Sequence, residues 1–125
     1  MEVPEHLRYT RDHEWVSLDG ATATVGVTAF AADQLGDVVY LDLPEVGAAV
    51  TAGEPCGEIE STKSVSDVYA PLSGVVVEVN VAALADPSSL NTDPYGAGWL
   101  MRVELAGEPG RLLDAAGYVA LLGGQ

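Results

Sequence analysis

A β-rich sandwich or flattened barrel with minor helices is the fold class this sequence predicts. Three observations carry it. The runs of β-branched and aromatic residues are short, as in Trp15 to Leu18, Thr22 to Val27 and Val75 to Asn80. Turn signals interrupt them often, at Asp19-Gly20, Pro44 to Gly47, Pro71 to Gly74 and Asp93 to Gly96. The stretch from Trp99 to Leu105 alternates Trp99, Met101, Val103 and Leu105 with Leu100, Arg102 and Glu104, the period of a half-buried strand.

Taken in order, Trp15 to Leu18 and Thr22 to Val27 form a hairpin around Asp19-Gly20. Thr28 caps a short helix over Ala29 to Leu35, which Gly36 ends. Asp37 to Leu43, with Val38, Val39, Tyr40 and Leu41, is predicted as a buried strand, and Val50 to Gly53 as a short extended piece. Pro55 and Pro71 bracket a second hairpin with Thr62-Lys63 at its turn. No Asn-Gly or glycine pair stands there, so the residues do not name the turn type. Val75 to Asn80 is the clearest strand. A loop with one helical turn is expected over Val81 to Leu90, limited by Asp86-Pro87. Asp114 caps a final helix over Ala115 to Leu122, which Gly117 weakens by roughly 1 kcal/mol.

The chain has 125 residues, enough for one domain (1–125) with its own core. It is 48% hydrophobic and 19% charged, a globular balance. Its net charge of −14 argues against nucleic acid and anionic membranes as partners. The single cysteine, Cys56, excludes an internal disulfide and any CxxC pair, and is read as a small apolar residue. Met1 to His6 show no signal peptide and no run reaches membrane-spanning length, so a cytoplasmic monomer is expected. His6 and His13 lie apart in sequence, and no metal site is assigned. Trp15, Tyr95 and Trp99 are read as core and turn residues.

One residue stands out. Lys63 is the only lysine in the chain; the other cations are Arg8, Arg11, Arg102 and Arg111. Flanked by Thr62 and Ser64 at a hairpin tip, its amine is presented to solvent, where an enzyme can reach it. That setting is wrong for a Schiff-base nucleophile, which needs a desolvated amine.

Several blocks together resemble the H protein family of the glycine cleavage system. They are Tyr9 to Val16 (with His13-Glu14-Trp15), Gly26 to Thr28, Leu35 to Pro44, Glu58 to Pro71 and Asn91 to Leu100. Ala97, where the family often carries an acidic residue, is a small departure. Biotinyl carriers usually have methionines beside their lysine. The lipoyl domains of 2-oxoacid dehydrogenases lack the His13 and Asp93 blocks.

The resemblance implies a barrel-sandwich hybrid with short helices and a C-terminal helix, and lipoate joined by an amide to Lys63. It implies a carrier and not an enzyme. The arm would take an aminomethyl group from a pyridoxal-phosphate glycine decarboxylase to a folate-dependent aminomethyltransferase. Dihydrolipoamide dehydrogenase would then reoxidise it, and lipoate-attaching enzymes would load it. The alternative is an H-like protein that relays lipoate to other carriers. Because water breaks down an aminomethyl thioether, a sheltering groove is expected, with a carboxylate for the cationic amine. Glu14 and Asp67 are the candidates for that carboxylate, with Ser66 beside them.

Overall fold

In the computed structural model, which describes residues 2–123, nine strands and four short helices follow one another. The strands are β1 (Arg8–Tyr9), β2 (Glu14–Asp19), β3 (Thr22–Val27), β4 (Val38–Asp42), β5 (Ala49–Val50), β6 (Pro55–Ser61), β7 (Val65–Tyr69), β8 (Gly74–Val79) and β9 (Met101–Leu105). The helices are α1 (Ala29–Leu35), α2 (Val81–Ala85), α3 (Ser89–Thr92) and α4 (Ala115–Gly123). A six-stranded antiparallel sheet runs in the order β1-β2-β3-β9-β8-β5, and a three-stranded one in the order β4-β6-β7. This is the expected mainly β, barrel-sandwich-like architecture with a C-terminal helix.

Local signals acted where they were read. Asp19-Gly20 joins β2 to β3, with Gly20 at φ 61°, a left-handed value that favours glycine. Thr28 Oγ1 accepts from the Ala31 N–H and caps α1, while Gly36 ends it at φ 78°. The Asp114 carboxylate accepts from the Gly117 N–H at 2.7 Å and starts α4.

Three expectations change. Val81 to Leu90 holds α2, capped by Asn80, and the start of α3, instead of a loop with one turn. The extended piece is Ala49–Val50 and stops before Thr51. The strand over Val38 to Leu41 is not buried throughout: Val39 and Tyr40 are 51% and 58% exposed. The β4–β6 register shifts between Val38 and Tyr40, so both of these neighbours face outward while Val38 and Leu41 point inward.

Two apolar clusters fill the fold. Val16, Val25, Leu72, Val76, Met101 and Val103 form one; Val38, Leu41, Ile59, Val68, Leu90 and Leu100 lie in the other. Each fully buried aliphatic side chain contributes about 1.5–3 kcal/mol. Cys56 packs against both clusters, and burial pushes its thiol up to about 11. A third cluster joins α4 to the N-terminal strands through Leu7, Tyr9, Trp15, Ala115 and Tyr118. Among the described residues no helix is long and apolar enough to cross a membrane.

Candidate functional site

The β6–β7 hairpin sets Glu60 opposite Val65, Ile59 opposite Ser66 and Glu58 opposite Asp67. Its tip is closed by a side chain, which is why no glycine is needed there. Ser61 Oγ accepts from the backbone N–H groups of Lys63 and Ser64, at 3.2 and 3.1 Å. The Thr62 N–H donates to the Asp37 carbonyl and ties the tip to the start of β4. Lys63 is exposed, as expected, but its stem leans on the end of α1. A Cβ placed on Gly36 would lie 2.9 Å from Lys63 Cε.

Asn91 in α3 fixes that contact from beneath. Its side chain accepts from the Val38 N–H at 2.9 Å and donates to the Gly36 carbonyl at 2.8 Å. Replacing it by alanine leaves both groups unpaired, which is expected to lower unfolding stability by about 2 kcal/mol. Urea denaturation of Asn91→Ala measures the loss.

A cavity of about 420 Å³ runs along α1, between Phe30, Ala31, Gln34 and Leu35 on one wall and Ser64 to Val68 on the other. Val27 and Ile59 also line it, as do Asp12, His13 and Glu14. Two contacts mark the ends of α1. The Thr28 N–H at the start of α1 donates to the His13 carbonyl, while Gly36, at the finish, meets Lys63. The seven residues of α1, about 10 Å at 1.5 Å per residue, run from the His13 contact to the Lys63 contact. Glu14, Ser66 and Asp67, expected to act together, line the same cavity, although 52 or more positions separate the first from the others.

Glu14, a candidate for the cargo's carboxylate, is buried. It is 2% exposed, and burial pushes its carboxyl up to about 8. Asp12 adds to the rise, while the Thr10 hydroxyl, 2.7 Å away, and the Tyr69 N–H oppose it. Burial thus favours the protonated form of this carboxyl. A cation brought within about 4 Å reverses that balance, because attraction to the carboxylate then offsets its desolvation. Ser66 and Asp67 are exposed on the opposite wall.

His13, to which the sequence assigned no metal site, lines the cavity as well. Its backbone is left-handed at φ 67°, and its ring lies 4.8 Å from that of Phe30. The aromatic residues assigned to core and turn lie there: Trp15 is 3% exposed and donates to the Pro94 carbonyl, and the Tyr95 hydroxyl donates to Glu2.

The family described as "Glycine cleavage H-protein" matches residues 7–123. The chain belongs to the glycine cleavage H-protein family. It is 62% identical to the glycine cleavage system H protein of Beutenbergia cavernae, over all of both chains. It is 58% identical to that of Thermobifida fusca, over 100% of this chain and 99% of the relative. The crystal structure of a glycine cleavage system H protein from Mycobacterium marinum superposes with a TM-score of 0.91 at 50% identity, covering 97% of this chain and 99% of that one. With the family in hand, the solvent-presented Lys63 and the cavity beside it become the parts of an H-protein fold that need a chemical role.

Proposed function

We propose that the chain is the lipoyl carrier of a glycine cleavage system, with lipoate joined by an amide to Lys63. One observation supports this above the rest: the chain's only lysine stands at the hairpin tip next to Ser64, which lines a cavity that Glu14, Ser66 and Asp67 also line. The donor set suits such an arm. Ile59, Val65, Val68, Phe30 and Leu35 give an acyl chain apolar walls, and Asp12, Glu14 and Asp67 bring carboxyl groups to the same lining. Bound lipoate supplies a dithiolane whose sulfur accepts the aminomethyl group; the residues of this chain position the arm, exclude water and hold the ammonium.

The expected partners are the pyridoxal-phosphate glycine decarboxylase, the folate-dependent aminomethyltransferase, dihydrolipoamide dehydrogenase and a lipoate-attaching enzyme. A single tethered group visits their active sites at high effective concentration. The protein then acts as a substrate of each rather than as an enzyme, in a cytoplasmic setting, as a single-domain monomer.

The lipoylated protein is expected to support carbon dioxide exchange into glycine with a glycine decarboxylase. If it fails there yet donates lipoate to another carrier, the relay function replaces this one. Asp67→Ala is expected to leave lipoylation intact and to speed ammonia release from the purified aminomethyl-loaded protein. An unchanged rate, with an intact fold by circular dichroism, removes Asp67 from the site.

A further inference from the structure

The C-terminal helix α4 does not line the cavity, yet one of its side chains touches two residues that shape it. Tyr118 is fully buried. Its hydroxyl lies 2.8 Å from His13 Nδ1 and 2.8 Å from Thr28 Oγ1. His13 lines the cavity beside Glu14, and Thr28 caps the helix that makes one wall. Tyr118 is held in turn by its ring, stacked on Tyr9 at 4.7 Å.

The directions of these hydrogen bonds follow from counting protons. Thr28 Oγ1 already accepts from the Ala31 N–H. Thr28 is fully buried, and among the described residues its hydroxyl has one other side-chain partner, the Tyr118 oxygen. Leaving a buried hydroxyl proton without an acceptor is costly, so Thr28 donates to Tyr118. The Tyr118 proton then goes to His13 Nδ1. Burial pushes the phenol up to about 12, so it keeps that proton at neutral pH. Burial also lowers the His13 pKa, which keeps the ring neutral. A neutral ring that accepts at Nδ1 carries its own proton on Nε2. Among the described residues Nε2 has no hydrogen-bond partner, and it is not among the buried unpaired atoms, so it meets solvent.

We propose that Tyr118 is a positioning residue that fixes His13 as its Nε2–H tautomer and thereby denies a base to a cargo amine held in the cavity. This rests on the carrier function proposed above. An aminomethyl thioether breaks down only through its unprotonated amine. The nitrogen lone pair forms a C=N bond as the C–S bond breaks, and both electrons of that bond leave on sulfur as thiolate. Water adds to the iminium carbon, and loss of ammonia leaves formaldehyde. A protonated amine has no lone pair to start this. The carboxyls of Asp12, Glu14 and Asp67 around the cavity favour the ammonium form when ionised. An imidazole with a free Nε2 lone pair offers that proton an acceptor. A ring locked as Nε2–H can only donate.

Long-range proton–nitrogen NMR of the lipoylated protein tests the tautomer directly, with His6→Gln used to assign the signals. Expected is an unprotonated Nδ1 on His13, and a mixture of tautomers in Tyr118→Phe, which keeps the ring stack. Ammonia release from the aminomethyl-loaded protein is expected to rise on the order of tenfold in Tyr118→Phe. It should return toward the parent rate in Tyr118→Phe/His13→Gln. A protonated Nδ1 in the parent overturns the proposal and needs no variant to see. So does a parent-like release rate in Tyr118→Phe, or a double variant as fast as the single one. Free aminomethyl-dihydrolipoamide is the control for the underlying carrier function. If the parent releases ammonia as fast as that compound, the sheltering cavity fails, while the tautomer still reports on Tyr118 alone.

Discussion

Lys63→Arg is expected to support carbon dioxide exchange into glycine no faster than a reaction without carrier. Arginine keeps the charge and most of the length, but its guanidinium does not form the lipoyl amide, and no second lysine can substitute. The loss is complete because the decarboxylase then has no tethered dithiolane to attack. Stability should change by no more than about 0.5 kcal/mol, since Lys63 is exposed and the tip is closed by Ser61. Exchange assays with equal amounts of parent and variant, each treated with lipoate ligase, give the answer. Residual exchange well above the carrier-free rate would move the attachment point elsewhere.

Glu14→Gln should separate stability from function. In the unfolded chain the Glu14 proton leaves near the ordinary value of 4.5, whereas the fold holds it to about 8. Between these values the folded state binds more protons, so stability falls as pH rises through the window. At 1.36 kcal/mol per pH unit the full loss is on the order of 5 kcal/mol. Glutamine has no such proton. The variant should therefore gain on its parent between pH 5 and pH 8, by about 2 kcal/mol or more once the weakened contact with the Tyr69 N–H is allowed for. The same change should speed ammonia release from the loaded protein, because an amide offers no charge to an ammonium. Denaturation profiles of the two proteins that stay parallel from pH 5 to pH 8 would contradict the buried acid. A destabilising carboxyl kept in a cavity wall is best understood by its use there.

The sequence made parts of this legible because their causes are local. Thr28 and Asp114 cap the helices they precede, and Asp19-Gly20 turns a hairpin, each within a few residues. Strand β1 is two residues long and is held by β2 and by Leu113, 104 positions from Tyr9, so no periodicity marks it. The exposed face of Val39 and Tyr40 depends on a register shift against β6 that alternation does not reveal. Glu14, Ser66 and Asp67 were legible as residue types in blocks shared with a family. The cavity that unites them is built from four separate segments, and it exists only once α1 lies beside β7. That the Glu14 carboxyl is pushed up from its ordinary value follows from its 2% exposure, a property of the packed state. Asn91 and Tyr118 likewise act through partners far away in the chain, at Gly36, Val38, His13 and Thr28.

The central claim is that Lys63 carries the arm, and intact mass with peptide mapping tests it most directly. After expression with a lipoate ligase and lipoate, the protein is predicted to gain one lipoyl-sized increment. Mapping should place it on the peptide containing Lys63, and Lys63→Arg should lack it. No increment at all, or one found only on the N-terminal amine, would contradict the claim.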